Sequence, residues 1–139
     1  MTDSAGTPET SRPDLASLGW SNSFSAANAG PEFAGTIPVR VLAVHRTAID
    51  VLGANYEGRV QLTKYADHEE DRPTVGDWIA IEPDTHRIAA IYPRKSLFKR
   101  RNPGKTNRLQ LIAANVDTVF IVTSANMDFN VARLERYLA

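Results

Sequence analysis

The 139-residue chain contains no cysteine. Disulfides and thiolate metal sites are therefore excluded, and stability has to come from packing. No apolar run approaches the length needed to span a bilayer, so no membrane partner is expected. The start, Met1-Thr2-Asp3-Ser4, is polar and lacks the basic and apolar stretches of a secretory signal; the default expectation is a cytoplasmic monomer. Net charge is also missing, with Lys plus Arg equal to Asp plus Glu. That balance alone argues against a nucleic-acid partner, but it is a sum over segregated charges. Asp67, Glu69, Glu70 and Asp71 form one cluster, while Arg94, Lys95, Lys99, Arg100, Arg101, Lys105 and Arg108 follow one another with no acidic residue between them. Each group acts locally over roughly a Debye length, about 8 Å at physiological salt.

Residues 1–36 are rich in Ser, Ala, Gly, Thr, Asn and Pro and show no sustained period, which predicts a largely disordered segment. Leu15, Leu18, Trp20, Phe24 and Phe33 are the exceptions, apolar enough to dock a short helix or turn, with Gly19 as a break.

From residue 37 the pattern becomes that of strands. Val39, Val41 and Ala43 alternate with Arg40 and Leu42, and Ile49 and Val51 follow the connection His45-Arg46-Thr47. Residues 57–64 place Val60 and Leu62 on one face and Arg59, Gln61 and Thr63 on the other. After the acidic loop, the apolar runs 78–81 and 88–92 flank the turn-forming Glu82-Pro83-Asp84-Thr85, predicting a hairpin. Five short strands over 37–92 fit a small Greek-key barrel of the oligonucleotide/oligosaccharide-binding (OB) type, with an SH3-like barrel as the competitor. Residues 93–110 read as a basic connector. Beyond it, Val119-Phe120-Ile121-Val122 is a continuous apolar run, predicting a strand buried on both faces. Asp128 or Asn130 can cap a helix carrying Val131, Leu134 and Leu138 on one face. A parallel strand needs neighbours, so 111–139 is expected to be the incomplete start of a second, α/β domain in a protein that is mainly β.

The strongest chemical signal is the basic run. A solvated linker is its bland reading, but attachment to an OB-type barrel favours a polyanion such as RNA. Arg46 in the first barrel loop, and Arg59 and Lys64 on the third strand, extend the candidate surface to Arg94, Lys95, Lys99, Arg100, Arg101, Lys105 and Arg108. Gly104-Lys105-Thr106 has the tail of a phosphate-binding loop, but the leading glycine falls on Lys99, and the tripeptide follows Pro103 in a polar stretch. His45, His68 and His86 have no ligand spacing. Trp78 and Tyr92 are read as core rather than as base-stacking platforms, and Tyr56, near a turn, as the better stacking candidate. No nucleophile–base pair is recognisable.

Four ordered blocks, Val75-Gly76-Asp77-Trp78, Tyr92-Pro93-Arg94-Lys95-Ser96, residues 113–122 and Asp128-Phe129-Asn130 with residues 133–138, closely resemble the ribosome small-subunit-dependent GTPase A family, RsgA or YjeQ. Leu18-Gly19-Trp20 and Arg40-Val41 fit the start of that pattern. The resemblance implies an amino-terminal OB fold, a circularly permuted GTPase domain and a zinc-binding carboxy-terminal domain. Such proteins act with the small ribosomal subunit and its ribosomal RNA and hydrolyse GTP with magnesium. The nucleotide motifs and zinc ligands of the family are missing from this sequence. The resemblance thus implies the RNA-binding amino-terminal part, with no catalytic residue or cofactor of its own. The alternatives are a stand-alone barrel that binds protein, favoured by salt-insensitive affinity, and an enzyme complete in these residues, favoured by measurable turnover.

Overall fold

The computed structural model describes residues 12–62, 71–101, 104, 108–124 and 131–138. Five strands form one curled antiparallel sheet: β1 (Ile37–Val44), β2 (Ala48–Leu52), β3 (Glu57–Gln61), β4 (Trp78–Ile81) and β5 (Ile88–Ile91), in the order β3-β2-β1-β4-β5. Tight turns explain the meander β1-β2-β3, with the His45 amide donating to Ala48 O at 2.8 Å and Gly53 to Tyr56 O at 2.7 Å. β1 then pairs again, Ile37–Ile81 through Arg40–Trp78, with β4. Eight residues serve two partners because a bulge between Val41 and Ala43 bends the strand. A first strand flanked by the second and fourth is Greek-key pairing, so the half-barrel is OB-like, and the expected strands are all present.

The alternation in the sequence translates directly into burial. Val39, Val41, Ile49, Val51, Val60, Leu62, Ile79, Ile81 and Ile88 turn inward and form the barrel core. β4 is buried on both sides, which accounts for its unbroken apolar run. Its other face, Trp78 and Ala80, joins Tyr92, Phe24 and Phe33 in a second cluster supported by Leu15, Leu18 and Trp20.

That second cluster corrects the expectation of a largely disordered amino-terminal segment. Residues 12–36 form a turn, α1 (Asn22–Ala27) and a 3₁₀ turn at Pro31–Phe33, all laid over the outside of β4 and β5. Gly19, with φ of 96°, closes the turn after Leu18. Phe33 stacks on Tyr92 at 4.2 Å between ring centroids, and Trp20 meets Trp78 edge-on at 4.9 Å. These rings, and not a helical period, hold the segment. Residues 1–11 lie outside the described residues.

The basic connector is likewise more ordered than expected. It contains β6 (Leu97–Arg101), paired antiparallel with β7 (Leu109–Ala114), so the boundary drawn at 110/111 falls inside a strand. By contrast, 119–122 pairs with no strand among the described residues. Val119 is 54% exposed, Phe120 88% and Val122 93%. The expected strand buried on both faces is therefore not formed by 119–122, because no described element lies against the run to pair with it or cover it. A helix does follow, α2 (Val131–Leu138); the side chains of Leu134 and Leu138 on its expected apolar face lie outside the described residues.

Candidate nucleic-acid interface

The β6–β7 hairpin is joined to the barrel through a polar junction built around Gly76 and Asp77. Ala114 donates its amide to Val75 O at 2.8 Å, Asn115 Nδ2 donates to Gly76 O at 3.0 Å, and the Lys95 amide donates to Asn115 Oδ1 at 2.8 Å. Gly76 has a φ of 90°, and a Cβ there would collide with the Ala114 carbonyl. Only glycine lets the loop before β4 and the end of β7 come this close.

Asp77 is fully buried, and its carboxylate accepts from Arg94 Nε and Nη2 and from the Thr74 amide, all at 2.8 Å. Arg94 also donates to Arg72 O at 2.8 Å. The hydrogen bond to Asp77 raises the Arg94 guanidinium above its ordinary value, outweighing desolvation. Removing one member of such a pair strands the other without compensation, at a cost of about 3–5 kcal/mol. Arg94, counted in the sequence as an exposed RNA-binding cation, is thus tied into the joint between barrel and hairpin.

Arg40, expected only as a strand residue that fits the family pattern, completes the joint. Its guanidinium donates to Gly76 O at 3.1 Å, to Asn115 O at 2.9 Å and to Leu18 O, while lying 5.9 Å from the centre of the Trp78 ring. Three segments distant in sequence thereby share one cation. The available signal was a lone arginine inside an apolar strand.

From this support the cations of β6 project outward: Lys99, Arg100 and Arg101 are exposed, as are Arg108 just before β7 and Lys95 beside the joint. Arg100 Nε donates to Gln110 Oε1 at 3.0 Å across the hairpin. Lys95 Nζ sits 5.5 Å from the Phe24 ring centre, so its stem helps cover the amino-terminal segment. On the barrel, Arg46 is exposed in the β1–β2 turn. Arg59 on β3 is held by Asp50 on β2, Nε to Oδ1 at 2.8 Å, and His45 Nε2 contacts Asp50 Oδ2, also at 2.8 Å. These hydrogen bonds, that of Arg59 first, lower the Asp50 carboxyl to about 2 and raise Arg59. Lys64 and Lys105 lie outside the described residues.

Trp78 and Tyr92 are core, as read from the sequence. Tyr56 packs against the barrel interior with its ring 4.6 Å from His86. Among the described residues no three His, Asp or Glu side chains converge on a possible metal position. His68 lies outside them.

An OB-like half-barrel with a docked cationic hairpin places the chain in the class of small β-barrel modules. Residues 91–139 match the family described as RsgA GTPase. Over 93% of its length the chain is 43% identical to the small ribosomal subunit biogenesis GTPase RsgA of Mesorhizobium japonicum, covering 36% of that protein. It is 44% identical, over 94% of the chain and 35% of the relative, to small ribosomal subunit biogenesis GTPase RsgA 2 of Vibrio parahaemolyticus. The RsgA of Opitutus terrae is 36% identical over 90% of the chain and 38% of its own length. The chain therefore belongs to the RsgA family and spans about a third of the length of these relatives.

Proposed function

We propose that this chain is the RNA-binding part of a ribosome-biogenesis GTPase, and that it engages the small ribosomal subunit through its ribosomal RNA. The observation that carries the reading is the β6–β7 hairpin, whose described residues include Lys99, Arg100, Arg101 and Arg108 and no acidic side chain. Cations held on a paired strand neutralise phosphates and release condensed counterions on binding. The joint at Gly76 and Asp77 fixes their direction relative to the barrel, so phosphate contacts also set orientation. The names of the relatives support the small subunit as the target. In the whole protein, GTP hydrolysis with magnesium and the binding of zinc belong to residues beyond this chain.

The test is binding to small-subunit ribosomal RNA over a range of salt concentrations. Replacing Lys99, Arg100 and Arg101 together by Ala weakens binding and flattens the salt dependence by up to about 0.9 per lost contact on a duplex, or about 0.7 on a single strand. An unchanged slope in the triple variant removes the hairpin from the interface. Wild-type affinity that does not vary with salt favours a protein partner instead.

A further inference from the structure

In OB barrels the face of strands 2 and 3 carries ligand. Here that face presents a built group. Asp50 and Arg59 are directly opposed across β2 and β3, and His45 reaches Asp50 from the end of β1. The side chains remain open to solvent, Arg59 at 59%, His45 at 46% and Asp50 at 36%.

The hydrogen bonds set out what is left for a ligand. His45 Nε2 lies 2.8 Å from Asp50 Oδ2, which requires the proton on that nitrogen. The 3.4 Å approach of Arg59 Nη2 to the same nitrogen is then a contact between two donors. Asp50 engages Arg59 side-on, Nε at 2.8 Å and Nη2 at 3.4 Å. That grip leaves the parallel N–H pair at the tip of the guanidinium, with no partner for Nη1 among the described residues. The plane of the fork is fixed before any ligand arrives, as bidentate recognition requires.

Charge selects the ligand. With neutral His45 the group sums to zero, and Asp50, ionised at neutral pH, repels a second anion brought to the same place. A phosphate gains little here compared with the hairpin. A neutral edge with two adjacent acceptors suffers no such repulsion, and guanine O6 with N7 is the nucleobase edge that matches the fork. The deep, narrow major groove of A-form RNA hides that edge, so the guanine must be unpaired.

We propose that Arg59, held by Asp50 and His45, recognises the O6/N7 edge of an unpaired guanine, a reading that rests on the RNA-binding function proposed above. The experiment uses fluorescence anisotropy with uridine-rich single strands of equal length that contain one guanosine, one 7-deazaguanosine or neither. The expected result is that the guanosine strand binds roughly 5- to 150-fold more tightly than the other two. Arg59→Lys keeps the charge but loses the preference. Asp50→Ala also loses it, yet binds the guanine-free strand more tightly and with a steeper salt dependence, because the Arg59 cation is unmasked. Arg59 and His45 are exposed and Asp50 is half-buried, and melting curves are used to check that the variants fold. Equal wild-type affinity for guanosine and 7-deazaguanosine overturns the inference and leaves the function standing. A uniform loss on all strands in Arg59→Lys, with a shallower salt slope, shows a phosphate contact and also overturns it. Failure to bind any RNA overturns both readings.

Discussion

At Gly76 two demands fall on one residue. Its φ of 90° is strained for any side chain, and the space a Cβ needs is filled by backbone, the carbonyl of Ala114, which cannot swing aside as a flexible side chain does. Gly76→Ala is therefore expected to destabilise the fold by about 1–3 kcal/mol from the backbone conformation alone, with the collision added. For a chain of this size each kcal/mol lowers Tm by about 2–8 °C, so a calorimetric scan decides the matter. An unchanged Tm contradicts the structural role. The same residue shows why charge counting is a weak guide to binding sites. Arg94 and Lys95 are neighbours, but only Lys95 is exposed, because Asp77, whose carboxylate holds the Arg94 guanidinium, lies buried beside Gly76.

Elements differ in how far the sequence discloses them. Strands β1 to β3 are legible because each has an inside and an outside, and alternation records both, while β4 is legible from its short unbroken apolar run. The amino-terminal cover is not. α1 has six residues, too few to display a helical period, and Phe24 and Phe33 serve a surface that exists only after β4 and β5 have paired. The hairpin was hidden for the opposite reason: Phe98-Lys99-Arg100-Arg101 carries no alternation, since its order comes from backbone pairing with β7. Of the candidate interface, the sequence displays the cations but not the partners that hold them. Asp50 and Arg59 become neighbours through strand register, and Arg40 through a convergence of three segments. The cover predicts its own energetics. Phe24 is 1% exposed, and Phe24→Ala is expected to cost about 3–5 kcal/mol and to open residues 12–36 to protease. A variant that resists cleavage as the wild type does argues that the segment is fastened by other contacts.

Over the whole molecule, a net charge of zero coexists with a strongly cationic hairpin, and Gly104-Lys105-Thr106 has the tail of a phosphate-binding loop without its leading glycine. Lys99 stands where a phosphate-binding loop needs its first glycine, and it lies within β6 rather than in a turn. Backbone amides cannot wrap a phosphate from a paired strand. Titration of this chain with labelled GTP and magnesium, with ATP as comparator, is expected to show no saturable binding. Selective GTP binding that disappears in Lys105→Ala contradicts this.

The grip of Arg40 on Leu18, Gly76 and Asn115 also orders events during synthesis. A chain emerging amino-terminus first can close the β1–β2–β3 meander at once, since its contacts are local. β1 must then wait for β4, and the platform for Trp20, Phe24 and Phe33 does not exist until Tyr92 has been made. The last carbonyl that Arg40 binds arrives only with Asn115. The segment that precedes β1 is consequently fastened only after β4 and β5 exist, and until then its aromatic residues are open to chaperones and proteases.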